Sequence, residues 1–283
     1  MKPLVVDFDG VLFKAALYGQ DPAAPPSDTL MSKTGDYVRV YSTRFSPAKA
    51  KEYIAAFMAP LHAAYANVIL AVSSTSRRYW RHDVLPTYKG KRSGQERPIG
   101  MDHLDAWFDH AVLCVDNMEA DDVCSVMMSQ EGAHCYSPDK DLKTVAGTLR
   151  GYQMHYANRS CAFDVEEPTE EASPVWTLGP TTTRTEEEAF WFFCWQCLAG
   201  DSCDGLPGCP GVGEKTANKL LDPLKEATKT AMWTAVAKAY EDAANKGKLP
   251  ASPLMQQAQC LRMKRAFDEP LWTPTMEGIC YGR

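Results

Sequence analysis

Apolar residues in this chain come in short unbroken runs separated by longer mixed stretches, and few of them alternate strictly with polar ones. Residues 3–8 (PLVVDF) are apolar and β-branched and stop at Asp7 and Asp9; NVILAV (67–72), HAVLCV (110–115) and AHCYS (133–137) have the same character. Such runs predict strands buried on both faces. Between them 47–65, 101–109 and 119–130 read as helices, so strand and helix alternate. That alternation predicts an α/β fold with a mainly parallel central sheet flanked by helices. Residues 150–180 predict short strands and loops, 186–199 a helix, and 223–268 two further helices around a polar loop at Gly247 and Pro250. The expected organisation is an α/β part over 1–180 and a helical part over 181–283, an arrangement that one continuous domain also accommodates.

Open α/β sheets bind ligands at the carboxyl ends of their strands, and the acids of this chain fall there. Asp7 and Asp9 follow the first strand, Glu119, Asp121 and Asp122 (in EADD) follow the third, and Asp139 and Asp141 (in SPDKD) follow the fourth. Glu119 and Asp122 share a face of one helical turn with Asp121 beside them. Taken singly, EADD reads equally as a solvated helix start and SPDKD as a capped turn. Three acids in four residues repel one another, and a divalent cation offsets that far better than a helix dipole does. Hard oxygen donors without histidine suit Mg²⁺ or Mn²⁺ and argue against zinc.

A second concentration of chemistry is residues 200–217, GDSCDGLPGCPGVGEKTA. Asp201 and Asp204 lead into four glycines and two prolines, which build a tight turn between helices. The amide groups from Gly211 to Lys215 then point outward where a phosphate can sit, and Lys215 adds a point charge. The formal charge of −6 looks unsuited to nucleic acid, but residues 77–97 hold seven Lys or Arg against two acids. Setting aside the nine candidate ligand carboxylates moves the total to +3, so net charge excludes no partner. Ten cysteines without regular spacing read as free thiols. The CxxC pair Cys194 and Cys197 lies in the aromatic run FWFFCWQC and pairs poorly with Cys203 and Cys209 as a zinc site. No run of 18 apolar residues occurs, and the first strand is broken early by acids, so neither membrane span nor signal peptide is expected and a cytoplasmic location is.

The order Asp after strand one, EADD, DKD and GDxxD, together with GDxxDxxPGxxGxGxKTA, resembles the 5′ nuclease (flap endonuclease) family over nearly the whole chain. YKGKR (88–92), DKDLKTV (139–145) and QQAQCLRMKRAFDEPLW resemble the phage T7-type 5′→3′ exonucleases in particular. The resemblance implies a PIN/5′-nuclease-like fold with a helix-three-turn-helix over 200–222 and an arch over about 75–98. It implies two Mg²⁺ (or Mn²⁺) ions, one held by Asp7, Glu119, Asp121 and Asp122 and one by Asp139, Asp141, Asp201 and Asp204, with Asp9 an added candidate. Lys89 and Arg92 match residues that touch the scissile phosphate. Arg77, Arg81 and Lys91 of the basic block, with Tyr88, Tyr79 and Trp80 for stacking, and Gly208, Gly211, Gly213, Lys215 and Thr216 of the turn, are the expected DNA contacts. A K⁺ ion at the helix-three-turn-helix is part of the same expectation. The activity implied is Mg²⁺-dependent 5′→3′ hydrolysis at ends, nicks or flaps of duplex DNA, with RNA in RNA/DNA hybrids as a further substrate, in the cytoplasm of a host bacterium for a phage protein. Two departures stand out: Gly205 replaces the family's Asn, and Ser73 to Ser76 stand where a carboxylate follows the second strand.

Two competing readings follow from the same residues. DFDGVL (7–12), with Ser73 or Ser74 after the second strand, also matches the opening of haloacid-dehalogenase-type phosphatases, with Asp7 as nucleophile and Asp9 as acid/base. That reading leaves 200–217 and the basic block unused. The missing carboxylate alone motivates the other, a DNA-binding protein of the same fold that does not cut.

Overall fold

The computed structural model describes residues 2–20, 44–90, 97–108, 111–156, 159–160 and 174–279. Four parallel strands, β1 (Leu4–Asp7), β2 (Val68–Val72), β3 (Leu113–Cys114) and β4 (His134–Tyr136), form the centre of the sheet. Its order is β3-β2-β1-β4-β5-β6, with β5 (Gly147–Tyr156) parallel to β4 and antiparallel to β6 (Arg159–Ser160) and β7 (Pro174–Arg184). The unbroken apolar character of β1 follows from its position. Leu4 and Val6 face one core with α1 (Asp9–Tyr18), α2 (Pro47–Ala64) and α4 (Met101–Phe108). Val5 faces a second core with α5 (Ala120–Glu131) on the opposite side. A strand buried on both faces has no solvent side to carry polar residues.

The strand and helix positions agree with the sequence reading except at two places. Helix α1 starts directly at Asp9, where no helix was expected. Residues 150–180 hold long strands in place of short ones: β5 has ten residues and β7 eleven, paired in one antiparallel ribbon. Its register shifts between Arg150 and Tyr152, next to Gly151, where a Cβ would stand 2.6 Å from the Pro180 carbonyl oxygen. Glycine permits that close approach and so lets the ribbon bend without breaking.

The helical part begins at α6 (Glu186–Ala199), whose Thr185 and Glu188 form a reciprocal capping box. Helices α7 (Glu214–Leu221), α8 (Lys229–Asn245) and α9 (Leu254–Leu261) pack on it around Phe193, Trp233 and Trp272. Phe193 stacks on Trp233 and both meet the edge of Trp272. Cys194, Cys197 and Cys209 are buried in this part as free thiols and Cys203 is exposed. The short helix α3 (Arg81–Val84) belongs to the basic block, yet Leu85 and Tyr88 just after it sit in the helical core. This half of the block is therefore anchored. No helix among the described residues is long and apolar enough to cross a membrane.

Candidate metal centre and nucleic-acid interface

Strand β1 pairs with β2 on one side and β4 on the other, which places the crevice of the sheet beyond its carboxyl end. Asp7 closes β1 there, buried, and accepts a hydrogen bond from Ser137 Oγ at 2.7 Å. Ser137 in turn accepts from the backbone N–H of Asp139 at 3.0 Å. Burial, with Asp9 and Asp139 nearby, pushes the Asp7 carboxyl up to about 7. Asp9, in the first turn of α1, accepts from the Ser73 N–H with both oxygens, at 3.2 and 3.3 Å, so it reaches the tip of β2. That tip is where the expected carboxylate is missing. Ser73 Oγ meanwhile accepts from the Ala120 N–H at 3.0 Å and so caps the start of α5.

The start of α5 presents Glu119, Asp121 and Asp122, all buried, with one oxygen of each within 4.8 Å of the others. Their surroundings separate their roles. Glu119 accepts from Arg81 Nη1 at 2.8 Å, Lys89 Nζ at 2.5 Å and the Tyr88 hydroxyl at 3.0 Å. Burial would raise its carboxyl, but Arg81 and Lys89 outweigh that and hold it below the usual range. Asp122, fully buried, is clamped bidentately by Arg81 at 2.5 and 2.9 Å and also accepts from Trp80 Nε1 at 2.9 Å and the Lys264 N–H at 3.3 Å. Asp122 is thus the main counter-charge of Arg81 and at the same time one of the three acids of the cluster. Asp121 is the opposite case: its Oδ1 is buried and without a hydrogen-bond partner. Burial, with Glu119 beside it, lifts its carboxyl well above the usual range. A buried acceptor left unpaired costs roughly 1–3 kcal/mol, more if charged. A hard divalent cation held by Asp121 and Glu119 satisfies both the orphaned oxygen and the hard-oxygen donor set, so these residues fit one.

The second acidic group is less open. Asp139 is exposed and caps the 3₁₀ turn Lys140–Thr144 by accepting from the Asp141 N–H at 2.9 Å. Asp141 is buried, accepts from Gln196 Nε2 at 2.5 Å and is pushed up to about 7 by burial and by Asp139 and Asp201. Asp201 pairs with Lys140 Nζ at 2.9 Å and accepts from the Cys203 N–H, and despite burial this holds its carboxyl low. Asp204 accepts from the Tyr88 hydroxyl at 2.9 Å. Among the described residues, no three acids of this group bring oxygens within 4.8 Å of one another.

The basic block divides. Arg77 is exposed with φ +52, whereas Arg81 is fully buried and Tyr88 is 3% exposed. Both leave the set of expected DNA contacts, Arg81 because its donors are bound to Glu119 and Asp122, Tyr88 because its ring lies in the core and its hydroxyl bridges Glu119 and Asp204. Trp80 likewise lies against Asp122 and under Lys264, whose Nζ stands 4.9 Å from its ring. Lys89 sits at the rim with Nζ 2.5 Å from Glu119 and 3.7 Å from Asp204; burial would lower its ammonium, but Glu119 and Asp121 raise it, so it stays charged. Lys91 and Arg92 lie outside the described residues.

The turn after α6 is built by backbone contact. Gly200 and Gly208 pack face to face: a Cβ on either would stand 2.6 Å from the other's amide nitrogen. The Gly208 N–H donates to Gln257 Oε1 at 2.7 Å, so this glycine is buried structure and no DNA contact. Gly205, at φ +76, lets the backbone of the basic block come down onto the turn, and the Lys89 N–H donates to the Asp204 carbonyl at 2.9 Å. Gly211, Gly213, Lys215 and Thr216 are exposed, at the start of α7. Sequence reasoning missed Arg81 as an internal partner, Ser137 and Gln196. Ser137 opens the SPDKD motif that the sequence marks, whereas Arg81 stands in a block that reads as surface.

No family model matches the chain. It is 29% identical over 181 residues to the exonuclease of Escherichia phage T7, covering 60% of this chain and 52% of that protein. It is 28% identical over 173 residues to a 5′-3′ exonuclease of Streptomyces coelicolor, covering 55% of this chain and 54% of that protein. The chain therefore spans about half the length of these relatives. Among solved structures it is similar in fold to the phage T5 5′-exonuclease with bound divalent zinc, at TM-score 0.52 and 12% identity over 92% of this chain and 89% of that one. In sequence the chain is thus similar to the exonucleases of phages T7 and T3 and to a bacterial 5′-3′ exonuclease, and in fold to the phage T5 5′-exonuclease.

Proposed function

We propose that this protein is a divalent-ion-dependent 5′→3′ exonuclease acting on ends, nicks or flaps of duplex DNA, with the RNA strand of hybrids as a further substrate. The observation that carries the reading is the orphaned Oδ1 of buried Asp121 beside Glu119, at the crevice of the sheet and under the amino group of Lys89. Asp121 and Glu119, with Asp7 and Asp9 as further candidates, would hold Mg²⁺ or Mn²⁺, which would supply Lewis-acid stabilisation and a more acidic water. The chain's own groups do the rest. Lys89 carries a fixed positive charge to the rim, where a phosphate oxygen competes with Glu119 and Asp204 for it. Tyr88 and Arg81 hold Glu119 in place from below. The exposed start of α7 with Lys215 grips duplex backbone away from the cut. Because Lys140 and Gln196 occupy Asp201 and Asp141, no step is assigned to a second ion.

The polarity and the nucleic-acid substrate come from the names of the relatives, one of which, from phage T3, is an exodeoxyribonuclease. Digestion of 5′-labelled and 3′-labelled duplexes, and of a hybrid, with Mg²⁺ or with EDTA tests the proposal. Release of label from the 5′ side, abolished by EDTA, is expected. Intact binding without cleavage defeats it in favour of a non-cutting binder, and aryl phosphate hydrolysis lost in Asp7→Asn defeats it in favour of a phosphatase.

A further inference from the structure

The segment Cys260–Arg265, within the QQAQCLRMKRAFDEPLW stretch, touches three elements of the site. Arg81 Nε donates to the Cys260 carbonyl at 2.7 Å and Nη2 to Met263 Sδ at 3.3 Å. The Lys264 N–H donates to Asp122 Oδ1 at 3.3 Å. Arg265 Nη2 donates to the carbonyl of Thr144 at 2.9 Å, at the end of the 3₁₀ turn that carries Asp141. Arg81 itself makes five donor contacts: Nε to Cys260, Nη1 to Glu119 and Asp122, Nη2 to Asp122 and Met263. A guanidinium has five N–H groups, so its whole donor set is engaged.

We infer that Arg81 is a positioning residue for the ion-binding acids and that residues 260–265 are the clamp that aims it. This rests on the proposed function only for the identity of the ion. A buried guanidinium bound on both sides has one orientation, and through it Asp122 and Glu119 are held in one arrangement beside Asp121. Partners one layer behind a metal ligand fix its orientation, and losing one typically lowers ion affinity by about 10–100-fold. Lysine cannot replace the arginine, because it offers a point charge where a planar fork is needed.

The test is calorimetric titration of the full chain with Mn²⁺ in the absence of DNA, with urea stability measured beside it in EDTA. Arg81→Lys is expected to lose about 10–100-fold in Mn²⁺ affinity. Met263→Leu, nearly equal in volume, removes one acceptor of the fork and is expected to lose several-fold while staying folded. Val236→Ala, in the helical core, is expected to lose stability and keep its Mn²⁺ affinity, which separates positioning from general loosening. For the variants that cut duplex, kcat falls and KM does not, because the exposed start of α7 is untouched. Wild-type affinity in folded Arg81→Lys and in Met263→Leu overturns the inference, and Met263→Leu alone decides if Arg81→Lys does not fold. A wild-type chain that binds Mn²⁺ and cuts nothing defeats the proposed function and leaves the inference to the titration; one that binds no Mn²⁺ defeats both.

Discussion

Asp7→Asn tests what burying a carboxyl at the end of β1 costs the fold. The Asp7 carboxyl is buried at the end of β1 beside Asp9 and is pushed from 3.8 up to about 7. The folded chain therefore holds this proton more tightly than the unfolded chain, so stability falls as pH rises through the window from about 4 to about 7, and the full penalty applies above it. About three units of pH correspond to about 4 kcal/mol, an upper figure because the neighbouring acids relax. Asparagine keeps the shape and can still accept from Ser137 Oγ, but carries no charge. In EDTA at about pH 8 the variant is expected to be more stable than the wild type by roughly 2–4 kcal/mol, shrinking to roughly 1–2 at about pH 5. Urea denaturation followed by tryptophan fluorescence reads this directly. With saturating Mn²⁺ the gap narrows or reverses, because an ion bound only by the folded state stabilises the protein that binds it better. Equal stability at the higher pH in EDTA, or a gap that does not shrink on acidification, refutes the reasoning.

Three other perturbations probe separate parts. Lys89→Ala is expected to slow single-turnover cleavage by orders of magnitude with duplex affinity nearly unchanged, and an equal loss of affinity in a binding titration makes Lys89 a docking residue only. Lys215→Ala is expected to weaken duplex binding and lower the slope of log K against log salt by about 0.9, one phosphate contact; an unchanged slope removes it from the interface. Gly208→Ala places a methyl 2.6 Å from Gly200 N and Leu198 O at φ +71, and is expected to destabilise by roughly 2–5 kcal/mol in urea, a loss below about 1 showing that the turn yields.

What the sequence made legible was what depends on local pattern. Unbroken apolar runs marked β1, β2 and β4 because those strands are covered on both faces, and the acids after them marked the crevice. The ribbon β5–β7 was hidden because its stability comes from cross-strand pairing between residues about thirty apart in sequence, such as Leu149 with Thr182, which no local period records. The division of labour among the acids was equally hidden. Asp121 and Asp122 are neighbours of one type, and what distinguishes them is a guanidinium about forty residues earlier and an amide far later in the chain. Arg81 and Tyr88 misled for the same reason: a basic and aromatic stretch reads as surface until the core that receives it is known.

The hydrogen bond from Arg81 to Cys260 spans 179 positions of the chain, and the one to Met263 spans 182. Closing so long a loop carries an entropic penalty that earlier, shorter contacts do not share, and contacts of this kind form late. Residues up to 204 already contain every candidate ligand acid, so a refolding chain acquires its carboxylates before it acquires their aim. Helical signal by circular dichroism should thus return ahead of Mn²⁺ affinity when denaturant is diluted out. A partly folded molecule would then hold its ion weakly during the time when its chain is still exposed.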